Sequence, residues 1–236
     1  MTRAVDDLMA RLPVLEVVRD PLELGIEICA RALRGGGKLL VCGNGGSASD
    51  SEHLVADLMK GFMSSRPIEE SERVRLVAQA GDRGAAIAAR LQGSLPALSL
   101  VSQAALTTAV ANDIRFDMVF AQQIHGLGTS SDVLIAISTS GTSPSVVNAA
   151  IVARARSLPV IALTGRDGGE LARFSDVAIR VPADLVFEIQ ELHLPVYHAI
   201  ALALEQSLFP DLPDVVAELT TVDGAAATDG AGPQDL

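Results

Sequence analysis

Two groups of residues in this chain carry side chains suited to acid–base or metal chemistry, at helical spacing. His53 and Asp57 stand four apart beside an apolar pair, Leu54 and Leu58. An imidazole and a carboxylate so placed share one face of a helix. Far along the chain, Gln190, Glu191, His193 and His198 fall in a second helical run. Gln190 and His198 lie roughly 80° apart around a helix, so both can line one side. A lone helical histidine is more often a hydrogen-bonded structural residue than a catalyst. This helix, however, enters from a polar loop after the last strand pattern, where it can meet the first.

Two further stretches suit an anion without offering a cation. Residues 43–47 read Gly-Asn-Gly-Gly-Ser between an apolar run and a helical pattern. A strand, a glycine-rich turn and a helix start leave unpaired N–H groups converging where the helix dipole is positive. This is no Walker loop, because no Lys-Ser or Lys-Thr follows, and no acidic residue ends the second strand to hold a ribose. Residues 138–144, Ser-Thr-Ser-Gly-Thr-Ser-Pro, set hydroxyls at another helix start. Hydroxyls and backbone N–H groups can hold a phosphate. The plainer alternative is a serine-rich turn with Ser143 as a helix cap.

The elements that must position these residues are legible as a βα alternation. Apolar runs at 38–42, 97–101, 132–137, 159–163 and 177–181 read as strands, the third apolar throughout and therefore central. Helical patterns occupy 48–60, 104–111, 116–127, the stretch from 144 to about 156, and 187–208, with a short helix after 169 and a weak one at 2–12. Before the first strand, Asp20 as cap, Pro21 at the first position and Glu23 as capping-box partner predict a helix carrying Leu22, Ile26, Cys29 and Leu33, stopped by three glycines at 35–37. Such alternation implies right-handed crossovers, an α/β fold with a doubly wound five-stranded parallel sheet, and ligands at the carboxyl ends of its strands. Residues 63–94 turn polar and read as a surface excursion, either a lid or an insertion that only decorates the surface. Residues 210–236 lose all periodicity and read as a disordered acidic tail.

Composition narrows the class. Of 236 residues 49% are apolar and 3% aromatic, so the core is aliphatic. The formal charge is −11, and the densest basic stretch, 73–90, is interrupted by Asp82. That argues against direct nucleic-acid binding, which needs clustered Lys and Arg. No apolar run is long enough to span a bilayer and no signal pattern opens the chain. Cys29 and Cys42 fall in apolar patterns, which suits reduced core thiols in a cytoplasmic protein.

Taken together, GNGGSASD with the following His53 and Asp57, ANDIRF, AISTSGTSPSVV, ALTGRDGGELA and IQELHLPVYH resemble the sugar-isomerase (SIS) domain, and most closely its phosphoheptose isomerase branch. The likeness covers about residues 20–209 and implies a flavodoxin-like three-layer sandwich, one domain over 1–209 with N-terminal helices and the 63–94 insertion. It implies a homotetramer with sites at subunit contacts, converting sedoheptulose 7-phosphate to a heptose 7-phosphate through an enediol. Ser138, Thr139, Ser140 and Ser143 would hold the phosphate; Asn44, Gly45, Gly46, Ser47, Asn112 and Asp113 would line the sugar. The family's zinc ligands fall on His53, Asp57, Gln190 and His198, and Asp57 with His198 would be the acid–base pair. The family glutamate is Asp57 here, one methylene shorter, and 63–94 is longer than in the short enzymes. Two alternatives stay open: a related C7 or C8 ketose phosphate of an antibiotic pathway, and a non-catalytic tetramer that binds a replication-initiation protein.

Overall fold

The computed structural model describes residues 3–210. The tail expected at 210–236 lies, beyond Pro210, outside the described residues. Five strands, β1 (Leu39–Cys42), β2 (Ala97–Ser99), β3 (Val133–Ile137), β4 (Val160–Thr164) and β5 (Val177–Arg180), form one parallel sheet in the order β2-β1-β3-β4-β5. Register is continuous across it, with Val41 opposite Ser99 on one side and Ile135 on the other. Alternate residues feed two cores. Leu39, Val41, Ile135 and Ile161 pack beneath α1 (Arg3–Arg11), α2 (Arg19–Arg34), α3 (Gly46–Met59) and α8 (Val186–Leu208). Leu40, Cys42, Leu134 and Ala162 face α5 (Ala104–Asp113), α6 (Val119–Leu127) and α7 (Pro144–Ala155). Cys29 and Cys42 are free, one in each core, and burial pushes both thiols up to about 12. No described helix is long and apolar enough to cross a membrane.

Three expectations need correction. Helix α2 does not start at an Asp20 cap. A 3-10 turn, Pro13–Val18, runs straight into it, Val18 takes the cap position without a side-chain bond, and Asp20 and Pro21 lie in the first turn. Asn112 and Asp113 are not a break between helices. The alanine-rich run carries α5 through them.

The third concerns 63–94. Its helix α4 (Glu70–Ala88) is exposed for most of its length and folds back at Ala80 and Gly81, where φ reaches 52° at the glycine. Its approach is buried, however. Arg66 is 0% exposed and pairs with Glu205 of α8, Nε to Oε1 at 2.7 Å. The same guanidinium donates to the carbonyls of Leu58 at 2.7 Å and Asp57 at 3.2 Å. Glu205 in turn accepts from the backbone N–H of Phe62 and Met63, each at 3.0 Å. The excursion is thus moored to the end of α3.

Candidate active site

The loops after β1 and β3 meet where the sheet's winding reverses, the usual place for a ligand in such a fold. Between them lies a cleft of about 290 Å³. Asn44, Gly45, Gly46 and Ser47 form one wall, Ser138, Thr139, Ser140 and Ser143 the other, and Gln190 and Val186 of α8 close the end. Helices α3, α7 and α8 all begin here, so three positive dipole ends converge on a cleft lined by no Lys or Arg among the described residues. Gly45 takes a φ of 58°, and a Cβ on Gly46 would run into the Gln190 amide.

The Ser143 side chain does not cap its helix: the residue occupies the cap position of α7 without a side-chain cap bond. Its Oγ accepts instead from Asn44 Nδ2 at 2.8 Å, and the same amide donates to Ser145 Oγ at 2.9 Å. The two anion loops are therefore tied to each other. Asn112 and Asp113 lie elsewhere: both are exposed, bonded to one another at 2.8 Å, and outside the lining of this cleft.

Helices α3 and α8 run side by side away from the cleft, Gly46 beside Gln190 at one end and His53 beside Tyr197 at the other. At that second end, ligand atoms of His53, Asp57 and His198 all lie within 4.8 Å of one another. Asp57 Oδ2 is 3.7 Å from His53 Nε2 and 3.8 Å from His198 Nε2. The shorter carboxylate therefore still reaches both rings. Burial pushes the Asp57 carboxyl up against the opposing pull of both histidines, and it pushes His198 down against Asp57. An acid and a base whose affinities for a proton approach each other suit proton shuttling. The structure brings His53, Asp57 and His198 of the expected metal set together, and the Gln190 amide lies beside Gly46. Gln190 sits about two turns, some 12 Å, nearer the cleft along α8.

The same three residues pass a chemical test for a zinc site. Asp57 Oδ2 and His198 Nε2 are buried without a hydrogen-bond partner. Two imidazoles and a carboxylate are ordinary zinc donors, with a fourth position left for substrate.

Sequence reasoning missed Asp50, Arg66, Ser145, Tyr197 and Glu205. Tyr197 places its hydroxyl 3.0 Å from His53 Nδ1 and 3.4 Å from Asp50 Oδ1. Only Glu205 left a usable trace, a carboxylate following the apolar run 199–204.

His193 points away from all this. It is 0% exposed beside the Thr164 backbone, neither ring nitrogen makes a well-formed hydrogen bond, and burial lowers it from 6.5 to about 4. An unfolded chain takes up this proton near pH 6.5, the folded one only near 4. Stability is therefore full above pH 6.5 and falls as the pH drops toward 4, by as much as about 3 kcal/mol from this residue. His193→Leu should remove that loss: thermal melts at neutral pH should nearly coincide with the parent, while near pH 4.5 the variant should melt higher.

The SIS-domain family model matches residues 3–93 and 75–165. The phosphoheptose isomerase of Shewanella denitrificans is 35% identical over 208 residues, 87% of this chain and 93% of that protein. That of Coxiella burnetii is 35% identical over 212 residues, 89% and 94% of the two chains. Among solved structures, the phosphoheptose isomerase of Francisella tularensis superposes with a TM-score of 0.68 at 30% identity, over 85% of this chain and 93% of that one. The one from Neisseria gonorrhoeae gives 0.66 at 32%, over 85% and 94%.

Proposed function

Because the chain belongs to the SIS-domain family, in its phosphoheptose isomerase branch, we propose that it interconverts sedoheptulose 7-phosphate and D-glycero-D-manno-heptose 7-phosphate. The observation that carries this reading is that the same two helices, α3 and α8, line the neutral cleft through Gly46 and Gln190 and hold the His53–Asp57–His198 cluster further along. Gln190 at the cleft and His198 in the cluster are eight residues apart on α8, a rise of about 12 Å. A seven-carbon chain with its phosphate contains eight single bonds of about 1.5 Å and spans, as a zigzag, about 10 Å. Side chains at either end take up the difference.

In this reading the helix N-termini and the hydroxyls of Ser138, Thr139, Ser140 and Ser143 hold the phosphate. Asn44, Gly45, Gly46, Ser47 and Gln190 face the near end of the sugar, and the exposed Asn112 and Asp113 would reach it only in an assembly. At the far end Asp57 and His198 divide the work of moving hydrogen between C1 and C2, one serving the carbon and the other the oxygen of the enediol. Zinc, held by His53, Asp57 and His198 with Gln190 as the resemblance adds it, would supply Lewis acidity toward the sugar oxygens.

Exposed apolar side chains support a homo-oligomer, a tetramer as the resemblance implies. Leu185, Val186 and Phe187 stand at the mouth of the cleft, and Val14, Val17 and Leu24 on the N-terminal elements. Two free thiols fit a cytoplasmic setting. The domain reading, one unit with the 63–94 segment moored beside the site, belongs to the same proposal.

The test is a panel of C5 to C8 ketose phosphates assayed for aldose formation with and without added zinc. Turnover should peak at the seven-carbon substrate. A preference for five or six carbons, or no turnover at all, removes the reading. Ser140→Ala with Ser143→Ala should raise KM about thirtyfold with kcat little changed, since each lost hydrogen bond is worth about 1 kcal/mol. An unchanged KM would take those hydroxyls out of the phosphate site.

A further inference from the structure

The Tyr197 hydroxyl lies between two groups that set its direction. On one side is the Asp50 carboxylate, Oδ1 at 3.4 Å, with Oδ2 buried and without a hydrogen-bond partner. On the other is His53 Nδ1 at 3.0 Å. An ionised carboxylate can only accept, whereas a neutral imidazole nitrogen can accept or donate according to its tautomer. The phenol has one proton to give. Given to Asp50, it leaves the phenol oxygen's lone pairs toward His53, which must then carry its own proton on Nδ1.

We propose that Asp50, acting through Tyr197, holds His53 as its Nδ1–H tautomer, so that the Nε2 lone pair faces Asp57 and His198. The opposite arrangement, with the phenol donating to Nδ1, puts a proton on Nε2 and denies that nitrogen to any electrophile. Tyr197 and Asp50 are thus positioning residues. They act on the orientation and protonation site of His53 and touch no substrate.

The relay is built into the packing. Tyr197 is 1% exposed, and its ring meets His53 edge-on at 5.4 Å and His198 at 5.0 Å between centroids. Those contacts depend on the ring, so Tyr197→Phe removes the hydroxyl while keeping the shape. Partners beyond the ligands orient metal-binding histidines in many sites by fixing which ring nitrogen is free. Here a phenol is interposed between the carboxylate and the imidazole. The consequence for metal binding rests on the zinc reading above; the tautomer itself does not.

Solid-state NMR of the full chain labelled with 15N-histidine, at about pH 8 where ordinary histidines are neutral, reads the tautomer, with His53→Asn identifying the signal. The parent should show His53 protonated at Nδ1. Tyr197→Phe should shift it toward Nε2–H, and Asp50→Ala, which frees the phenol to donate to Nδ1, should do the same. Zinc titrated into the metal-free protein should bind about 10- to 100-fold more weakly to both variants. An Nε2–H tautomer in the parent, or a tautomer unmoved by both substitutions, overturns the proposal. A protein that binds no zinc but shows the expected tautomer changes upholds the relay and sinks only the metal reading.

Discussion

Replacing His198 with Asn should lower kcat by roughly 10²- to 10⁴-fold, the range that a positioned acid or base contributes, and leave the fold and phosphate binding in place. The imidazole sits on the same side of α8 as Gln190 and presents Nε2 to Asp57 Oδ2 at 3.8 Å. Asn keeps a polar side chain of similar reach and removes the titrating nitrogen. The side chain is about 30% exposed and its Nε2 has no hydrogen-bond partner among the described residues, so little structural support disappears with it. Its remaining contacts are to rings, Phe62 at 5.5 Å and His53 and Tyr197 each at 5.0 Å. A melting temperature within a few degrees of the parent, an unchanged affinity for inorganic phosphate and a collapsed kcat together make the expected pattern. Undiminished turnover would remove His198 from the chemistry.

The second large effect concerns Arg66. Arg66→Met should destabilise the protein by about 3–5 kcal/mol, because it strands a carboxylate in the interior. Glu205 is 4% exposed and would keep, among the described residues, the two backbone donors of Phe62 and Met63. Pairing the change with Glu205→Met should recover much of the loss, since an apolar pair of similar volume often replaces a buried ion pair without penalty. Denaturant melts of the single and double variants measure the difference. Arg66→Lys should not rescue, because a single ammonium cannot reach Glu205 and two carbonyls with the geometry of a guanidinium. Arg66 also closes the carbonyls of Asp57 and Leu58, so the single variant should lose activity along with stability. A single variant as stable as the parent would mean that the pair contributes nothing to holding α3.

How much of this could be read from the residues alone follows from how local each signal is. The strands stood out because short apolar runs end in turn-forming residues, Gly43, Ser102, Ser138, Thr164-Gly165 and Pro182, and the helices because their stripes recur at three and four. The start of α2 was misplaced because Asp20, Pro21 and Glu23 carry a cap's composition whether or not the preceding turn joins the helix. His53 with Asp57 was legible from spacing, and Ser143 with Asn44 from their residue types. The partners that hold them were not. Arg66 meets Glu205 across 139 residues and Tyr197 meets Asp50 across 147, and no local pattern encodes such pairings. Gln190 adds a contact of the same kind: its amide lies against Gly46 of α3, which spacing within α8 does not encode.

If phosphate binds as proposed, a cleft lined by no cation among the described residues, in a chain of net charge −11, has a kinetic signature. Helix dipoles act only within the first turn, whereas net charge acts over a Debye length of about 10 Å at 0.1 M salt. A dianionic sugar phosphate is therefore repelled during approach and held only once it has arrived. Raising ionic strength should speed encounter with this protein, the reverse of the salt response of sites that draw their anions in with arginine and lysine.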